Sequence, residues 1–380
     1  MNYIRAIDEV FSQFEDTKFS IKFWNGEERH YGSGDLNAFT LIFGNAVTVK
    51  NLLTKGSIGF GEAYMDGSLK IEGDLEAYIR LRHQLKKKGH SLYFIFAIIW
   101  AKISMPWSRR GQIAHHYDIG NDFFKMVLDG ETMSYSAGYY GKGSDSLATA
   151  QKNKLELICR LFNFPAGSRV LDLGSGWGGF ALHAAKNYLW SVTGYTLSNA
   201  QLDYCNQLVR DNRLESKLFF EYRDMLKDLP NSEFDGIVMI ESIEHMGQKN
   251  LPALFQSIKN CLRPGSPLVI QSTIRRKIRS VDRWTLKYIF PGGYLPSQEE
   301  LISLAAVAGF RVEEAQDETQ NYIHTVTDWI KNFEFHREKI EKKYGQPFYR
   351  MWKLWLHGTK VSFETGGIGS LRLHLKRTTT

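Results

Sequence analysis

A doubly wound α/β sheet accompanied by a smaller N-terminal domain is the fold this sequence predicts. Two observations predict it. From residue 150 onward, apolar runs of strand length alternate with helical patterns, the order that builds a mostly parallel sheet. The first of those runs, Val170–Leu173, breaks into the glycine-rich turn Gly174-Ser175-Gly176-Trp177-Gly178-Gly179, which opens a helix. At 380 residues the chain is long enough for two domains. A change of texture near residue 110 divides it into an N-terminal domain with linker, 1–110, and a larger domain, 111–380.

Before residue 80, the alternation Phe19-Ser20-Ile21-Lys22-Phe23-Trp24 predicts a strand, and Gly32-Ser33-Gly34-Asp35 a turn. Gly56-Ser57-Ile58-Gly59-Phe60-Gly61-Glu62-Ala63-Tyr64-Met65-Asp66-Gly67 is the most distinctive stretch of this region. Next comes an apolar run, Leu92–Ala101, with Arg80, Arg82, Lys86, Lys87 and Lys88 before it and Lys102, Arg109 and Arg110 after it. It is too short to cross a bilayer; it suits either a segment lying on a membrane surface or a buried linker helix. His115-His116 beside Asp118 lacks a third ligand at useful spacing, so a cap or pocket wall is expected there and no metal. In the larger domain a helix over Gln151–Phe164 precedes strands at Val170–Leu173, Ser191–Tyr195, Leu218–Glu221, Gly236–Ile240 and Leu268–Ser272. Arg311–Ala315 and Leu371–Leu375 then supply a closing antiparallel hairpin.

The composition, 43% apolar and 23% charged, is that of a folded globular chain. Cys159, Cys205 and Cys261 form no CxxC pair, which predicts a reducing, cytoplasmic setting with neither disulfide framework nor zinc. Met1–Phe14 is amphipathic and acidic, unlike a signal peptide. The net charge of +7 points to an anionic partner.

Ligands of such sheets sit at the carboxyl ends of the strands, near the switch point. There, Gly174-x-Gly176-x-Gly178-Gly179 departs from the Gly-x-Gly-x-x-Gly of dinucleotide sites, and Asp172 would repel a phosphate. A cationic ligand without pyrophosphate, such as S-adenosylmethionine, fits better. The second strand ends without an acid, in Gly194-Tyr195-Thr196-Leu197-Ser198-Asn199-Ala200-Gln201, whose hydroxyls and an amide are left to meet a ribose, or whose Thr196 and Ser198 cap the next helix. Tyr222 and Arg223 follow the third strand and would hold an adenine. The fourth strand ends in Glu241-Ser242-Ile243-Glu244-His245-Met246-Gly247, and because an acid directly at a strand's carboxyl end is poor core filling, Glu244 is read as a site residue.

The whole chain resembles the cyclopropane-fatty-acyl-phospholipid and mycolic-acid cyclopropane synthase family. Seven stretches occur in the family's order: Gly56–Gly67, His116-Tyr117-Asp118-x-Gly-Asn121-Asp122, the glycine loop, Gly194-x-Thr-Leu-Ser198, Tyr222-Arg223-Asp224, Glu244-His245-Met246-Gly247 and Lys287–Ser297. The resemblance implies a class I methyltransferase sheet and S-adenosylmethionine as cofactor. It also implies contacts to that cofactor from Tyr135, Ser136, Gly174, Gly176, Thr196 and Gln201. Family members methylate a cis double bond of a lipid acyl chain and position a bicarbonate ion to take the proton that ring closure releases. A Cys, a Glu, a His and a Tyr surround that ion. Glu244 and Tyr322 match, as candidate catalytic residues, but Ala137 and Ser272 stand in the Cys and His places. Alanine offers no side-chain donor and serine is a weak anion partner, which argues against bound bicarbonate and makes Glu244 the nearest candidate base or electrostatic stabiliser.

The first functional expectation is therefore a C-methyltransferase acting on unsaturated phospholipid acyl chains, peripheral at the inner membrane surface, yielding a cyclopropane or a methyl-branched or methylene product. A homodimer is left open. The alternatives are a methyltransferase of a soluble small molecule and a non-catalytic S-adenosylmethionine-binding membrane protein. Nucleic acid is not expected as partner, for no Asn-Pro-Pro-Tyr-like loop follows the fourth strand.

Overall fold

Residues 3–85, 119–141, 145–227, 229–230, 233–278 and 280–379 are described by the computed structural model of the chain. The apolar run Leu92–Ala101, the cations Lys86–Lys88, Lys102, Arg109 and Arg110, and the His115-His116 stretch lie outside them, as does the expected boundary at 110. By internal contacts the chain forms two units, and they are not divided by one cut. Asp282–Lys287 and His336–Thr365 cluster with the N-terminal residues, while the second unit holds the rest of the C-terminal part.

The N-terminal unit is built on a four-stranded sheet of β1 (Phe19–Lys22), β2 (Glu28–Tyr31), β3 (Phe39–Phe43) and β4 (Leu69–Gly73), in the order β2-β1-β3-β4. The alternation in β1 buries Phe19 and Ile21 on one face, and Phe19 stacks between Tyr31 and Phe39 at 5.1 and 5.0 Å. The Gly56–Gly67 motif becomes a helix, Ser57–Asp66, whose small residues are there for packing. A Cβ on Gly61 would lie 2.1 Å from the Trp284 ring, and one on Gly59 2.1 Å from the Asn51 carbonyl oxygen. The long helix Gln346–Glu364 is tied to this unit through Glu76, which pairs with Lys360 Nζ and His357 Nδ1, each at 2.9 Å. Burial raises the Glu76 carboxyl, but those two partners outweigh it and hold the group at about 2.

The second unit carries seven strands: β5 (Arg169–Leu173), β6 (Ser191–Thr196), β7 (Leu218–Tyr222), β8 (Gly236–Ile240), β9 (Pro267–Arg275), β10 (Phe310–Asp317) and β11 (Ile368–Arg377). Their order is β10-β11-β9-β8-β5-β6-β7, with β7 to β9 parallel across β5 and β10–β11–β9 antiparallel. This is the doubly wound sheet with closing hairpin that the alternating pattern predicts. Chain order reverses between β5 and β8, so the crevice of this fold opens where those two strands end. Both faces are covered, as near-continuous apolar strands require: Leu171 and Leu173 of β5 face one core, with Ile237, Met239 and Ile270. Val170 faces the other, with Val192, Val238 and the helix Leu147–Phe162.

β9 runs three residues past its predicted end at Ser272. Pairing with β11 continues from Lys376↔Pro267 to Ile368↔Arg275, so Ser272 and Thr273 are strand residues held in a ladder and not part of a loop.

Candidate active site

Beyond β5 the backbone is committed to a tight cradle. The Gly174 and Ser175 amides both donate to the Tyr195 carbonyl at the end of β6, at 3.1 and 2.9 Å. Gly174 has φ +90°, and a Cβ there would come within 2.4 Å of Ser242. Gly176, at φ +54°, is different: no protein atom lies within 4 Å of where its Cβ would be. It borders a cleft whose walls include Tyr135, Ser136, Lys154, Asp172, Gln201 and Glu241.

Of the residues singled out from sequence, Tyr135, Ser136, Asp172, Gly174, Gly176 and Gln201 meet at this cleft. Thr196 stands behind it, buried, donating to Gln201 Oε1 at 2.8 Å and thereby fixing that amide. Tyr222 and Arg223 are not in its wall. Tyr222 is 45% exposed, and Arg223 pairs with Glu221 at 2.6 Å with its guanidinium 5.4 Å from the Tyr195 ring centre. Tyr135 is packed edge-on to Phe124 at 5.5 Å and lies 5.0 Å from Trp329.

Three carboxylates and one lysine are sunk into this region. Asp172 is buried, one of its oxygens, Oδ2, has no hydrogen-bond partner, and burial pushes its pKa up to about 7. Lys154 donates to Ser136 Oγ and Gln151 Oε1, each at 2.7 Å. Burial drives its ammonium down to about 8, against the charges of Asp129, Glu241 and Asp172. Glu241, the residue immediately after β8, takes a left-handed backbone at φ +49°, which costs a non-glycine residue about 1–2 kcal/mol. Four donors surround its carboxylate: Tyr322 Oη at 2.6 Å, the Ala137 amide at 3.2 Å, Thr273 Oγ1 at 3.3 Å and Gln271 Nε2 at 3.5 Å.

Glu244 faces the same strand from one turn further on. Its Oε1 accepts from the Thr273 amide at 2.6 Å and Ser272 Oγ at 2.9 Å, while its buried Oε2 has no partner. Burial, and then the charge of Glu241, push Glu244 up to about 8. Burial also raises Glu241, against Tyr322, the Ala137 amide, the charge of Lys154 and Thr273, all of which favour its ionised form. Tyr322, raised by burial and by Glu241, stays a phenol and a donor.

Glu241 is therefore the carboxylate that sequence reasoning missed, and Tyr322 donates to it and not to Glu244. Lys154 was missed too. The available signal was its place on the buried stripe Leu147, Ala150, Gln151, Lys154, Leu155 and Ile158, where a charge demands an explanation.

The family described as mycolic acid cyclopropane synthetase matches residues 106–373, more than half of the chain. The chain belongs to that family. A domain of unknown function matches residues 6–90. The cyclopropane-fatty-acyl-phospholipid synthase of Escherichia coli K12 is 33% identical over 329 residues, covering 84% of this chain and 83% of its own. A probable fatty acid methyltransferase of Pseudomonas putida is 28% identical over 365 residues, covering 92% and 89%. Among solved structures, a cyclopropane synthase of Mycobacterium tuberculosis superimposes with a TM-score of 0.67 at 24% identity, covering 71% of this chain and 99% of that one. As a family member the chain is an S-adenosylmethionine-dependent methyltransferase with the fold expected from its sequence.

The cleft fits that donor. A sulfonium-bearing amino acid needs negative charge and an acceptor for its ammonium, and the orphaned Asp172 Oδ2 offers both. The open space over Gly176 lets a ligand touch backbone, which any side chain there would prevent.

Proposed function

We propose that this chain methylates carbon at a double bond of an unsaturated phospholipid acyl chain, working from the inner membrane surface as a peripheral protein. The observation that carries the reading is the cluster of Glu241, the buried Tyr322 and Glu244, which meets the cofactor cleft through Glu241. Bound S-adenosylmethionine supplies an electron-poor methyl on a positively charged sulfur. Gly176 admits it, Asp172 and Gln201 orient it, and Tyr135 and Ser136 line the cleft beside Lys154. An alkene that receives the methyl is left with positive charge on its other carbon, and that charge needs a fixed counter-charge where water is scarce. Glu241 supplies one, beside the ring of Tyr135, which is itself packed on Phe124 and Trp329.

The relatives support lipid over a soluble amine: beyond those above, a tuberculostearic acid methyltransferase of Mycobacterium tuberculosis is 31% identical, covering 82% of this chain and 77% of its own. A sphingolipid C9-methyltransferase of Candida albicans is 29% identical, covering 81% of this chain and 63% of its own. Among the described residues no helix is long and apolar enough to cross a membrane. The test is release of S-adenosylhomocysteine by purified protein on vesicles of unsaturated or fully saturated phospholipid, with a panel of soluble amines beside them. Turnover on the unsaturated vesicles alone is expected. Equal turnover on saturated lipid, or turnover on amines only, overturns the proposal.

A further inference from the structure

We propose that Glu241 is the proton acceptor of the reaction, built into the chain so that the site needs no separate anion to remove the proton. The inference rests on the lipid reading above and adds to it the residue that completes the reaction.

The chemistry requires such a group. The alkene's π electrons form the new bond to the methyl carbon, the bond from that carbon to sulfur breaks, and its electron pair leaves as the lone pair of a neutral thioether. Positive charge then sits on the neighbouring chain carbon and one proton must go. If it leaves the new methyl, its C–H pair closes a three-membered ring; if it leaves an adjacent chain carbon, that pair makes a double bond beside a methyl branch. In either case a base in the pocket ends the step as an acid.

Glu241 is placed and prepared for this. It lines the cleft that holds Asp172, Gly176 and Tyr135, whereas Glu244 has its accepting oxygen turned to the β9 ladder at Thr273 and Ser272. Tyr322 Oη, Thr273 Oγ1, the Ala137 amide and Gln271 Nε2 all point hydrogens at its carboxylate, the arrangement of an anion site whose anion is a side chain. Its backbone, at φ +49°, is one that glycine would adopt without strain, yet the chain carries a glutamate there. With Glu241 on those donors and Glu244 behind Thr273, a free anion would meet two carboxyls and find its hydrogen bonds already taken. Ala137 contributes only its backbone to this set, so the missing side chain at that position removes nothing that Glu241 uses.

Three proteins decide the matter: the wild type, Glu241→Gln, which keeps the shape but accepts no proton, and Glu241→Gly, which relaxes the backbone and opens the anion position. Each is assayed on unsaturated phospholipid vesicles with bicarbonate removed and restored, and each is titrated with carbon-13 bicarbonate by NMR line broadening. The wild type is expected to turn over equally in both conditions and to leave the bicarbonate signal sharp. Glu241→Gln should lose about 10²–10⁴ in rate. Glu241→Gly should be comparably slow, broaden the signal, and recover activity with added bicarbonate or formate. Strong bicarbonate stimulation or line broadening in the wild type, or a Glu241→Gln protein of wild-type rate and product, overturns the assignment. If the wild type methylates no lipid, the lipid reading fails, and the NMR comparison of wild type with Glu241→Gly still decides whether the side chain occupies the anion position.

Discussion

Gly176 and Glu241 share an unusual backbone for opposite reasons. Both have positive φ, but one presents no side chain to the cleft and the other presents a carboxylate held by four donors. Gly176→Ala places a methyl group where nothing in the protein lies within 4 Å and where the ligand is expected. We expect at least about a tenfold loss of S-adenosylhomocysteine affinity by calorimetry, with a stability cost of only about 1–2 kcal/mol from the backbone. Unchanged affinity would remove the cofactor from that loop. The cradle was legible in the sequence because glycines and an acid after an apolar run have few other uses. Glu241 was not, because Glu244 three residues on, followed by His245, drew attention away from the acid directly at the strand end. Which of two nearby acids reaches a cleft depends on backbone torsion, and a φ of +49° on a glutamate has no sequence signal.

Among the elements, the end of β5, the turn after β8 and one face of the helix Leu147–Phe162 gather the buried Asp172 and Lys154 with Glu241 and Glu244. Asp172 and Glu244 bind their protons more tightly when folded, at about 7 and 8 against ordinary values of 3.8 and 4.5. Between those limits the folded protein holds more protons than the unfolded one, so their contribution is full in acid and is lost as pH rises through the folded values. Lys154 runs the other way: its folded value of about 8 lies below 10.5, so stability returns as pH rises from one to the other. The ligand-free protein should therefore melt several degrees lower near pH 8 than near pH 5, and Glu244→Gln should flatten that slope. Thermal melts across the range measure it, and a slope of the opposite sign, or one untouched by Glu244→Gln, would refute the protonation scheme. The strands that produce this gathering were readable from apolar runs, Gly236–Ile240 to the residue. The extension of β9 was not, because Thr273–Arg275 are held by pairing with β11, some hundred residues away, and carry no local pattern of their own.

For the whole molecule, the sequence shows two compositional halves, but not that Asp282–Lys287 and His336–Thr365 join the N-terminal unit, since long-range packing such as Trp284 over Gly61 leaves no mark on neighbouring residues. The excess of cations, +7 over the chain, makes a prediction for the membrane. Binding to anionic vesicles should exceed binding to neutral ones and fall steeply as salt screens the surface potential, as co-sedimentation would show. Equal binding to both at low salt would leave the charge without a membrane role. Carbon methylation of a lipid acyl chain is read out by giving the protein S-adenosylmethionine with a trideuterated methyl and unsaturated phospholipid vesicles, then locating the label by mass spectrometry of the intact and fragmented lipid. Deuterium is expected on an acyl carbon at the former double bond, two atoms retained if the proton is taken from the new methyl and three if it is taken from the chain. Label on a head-group nitrogen, on a soluble amine or on no lipid at all would contradict it.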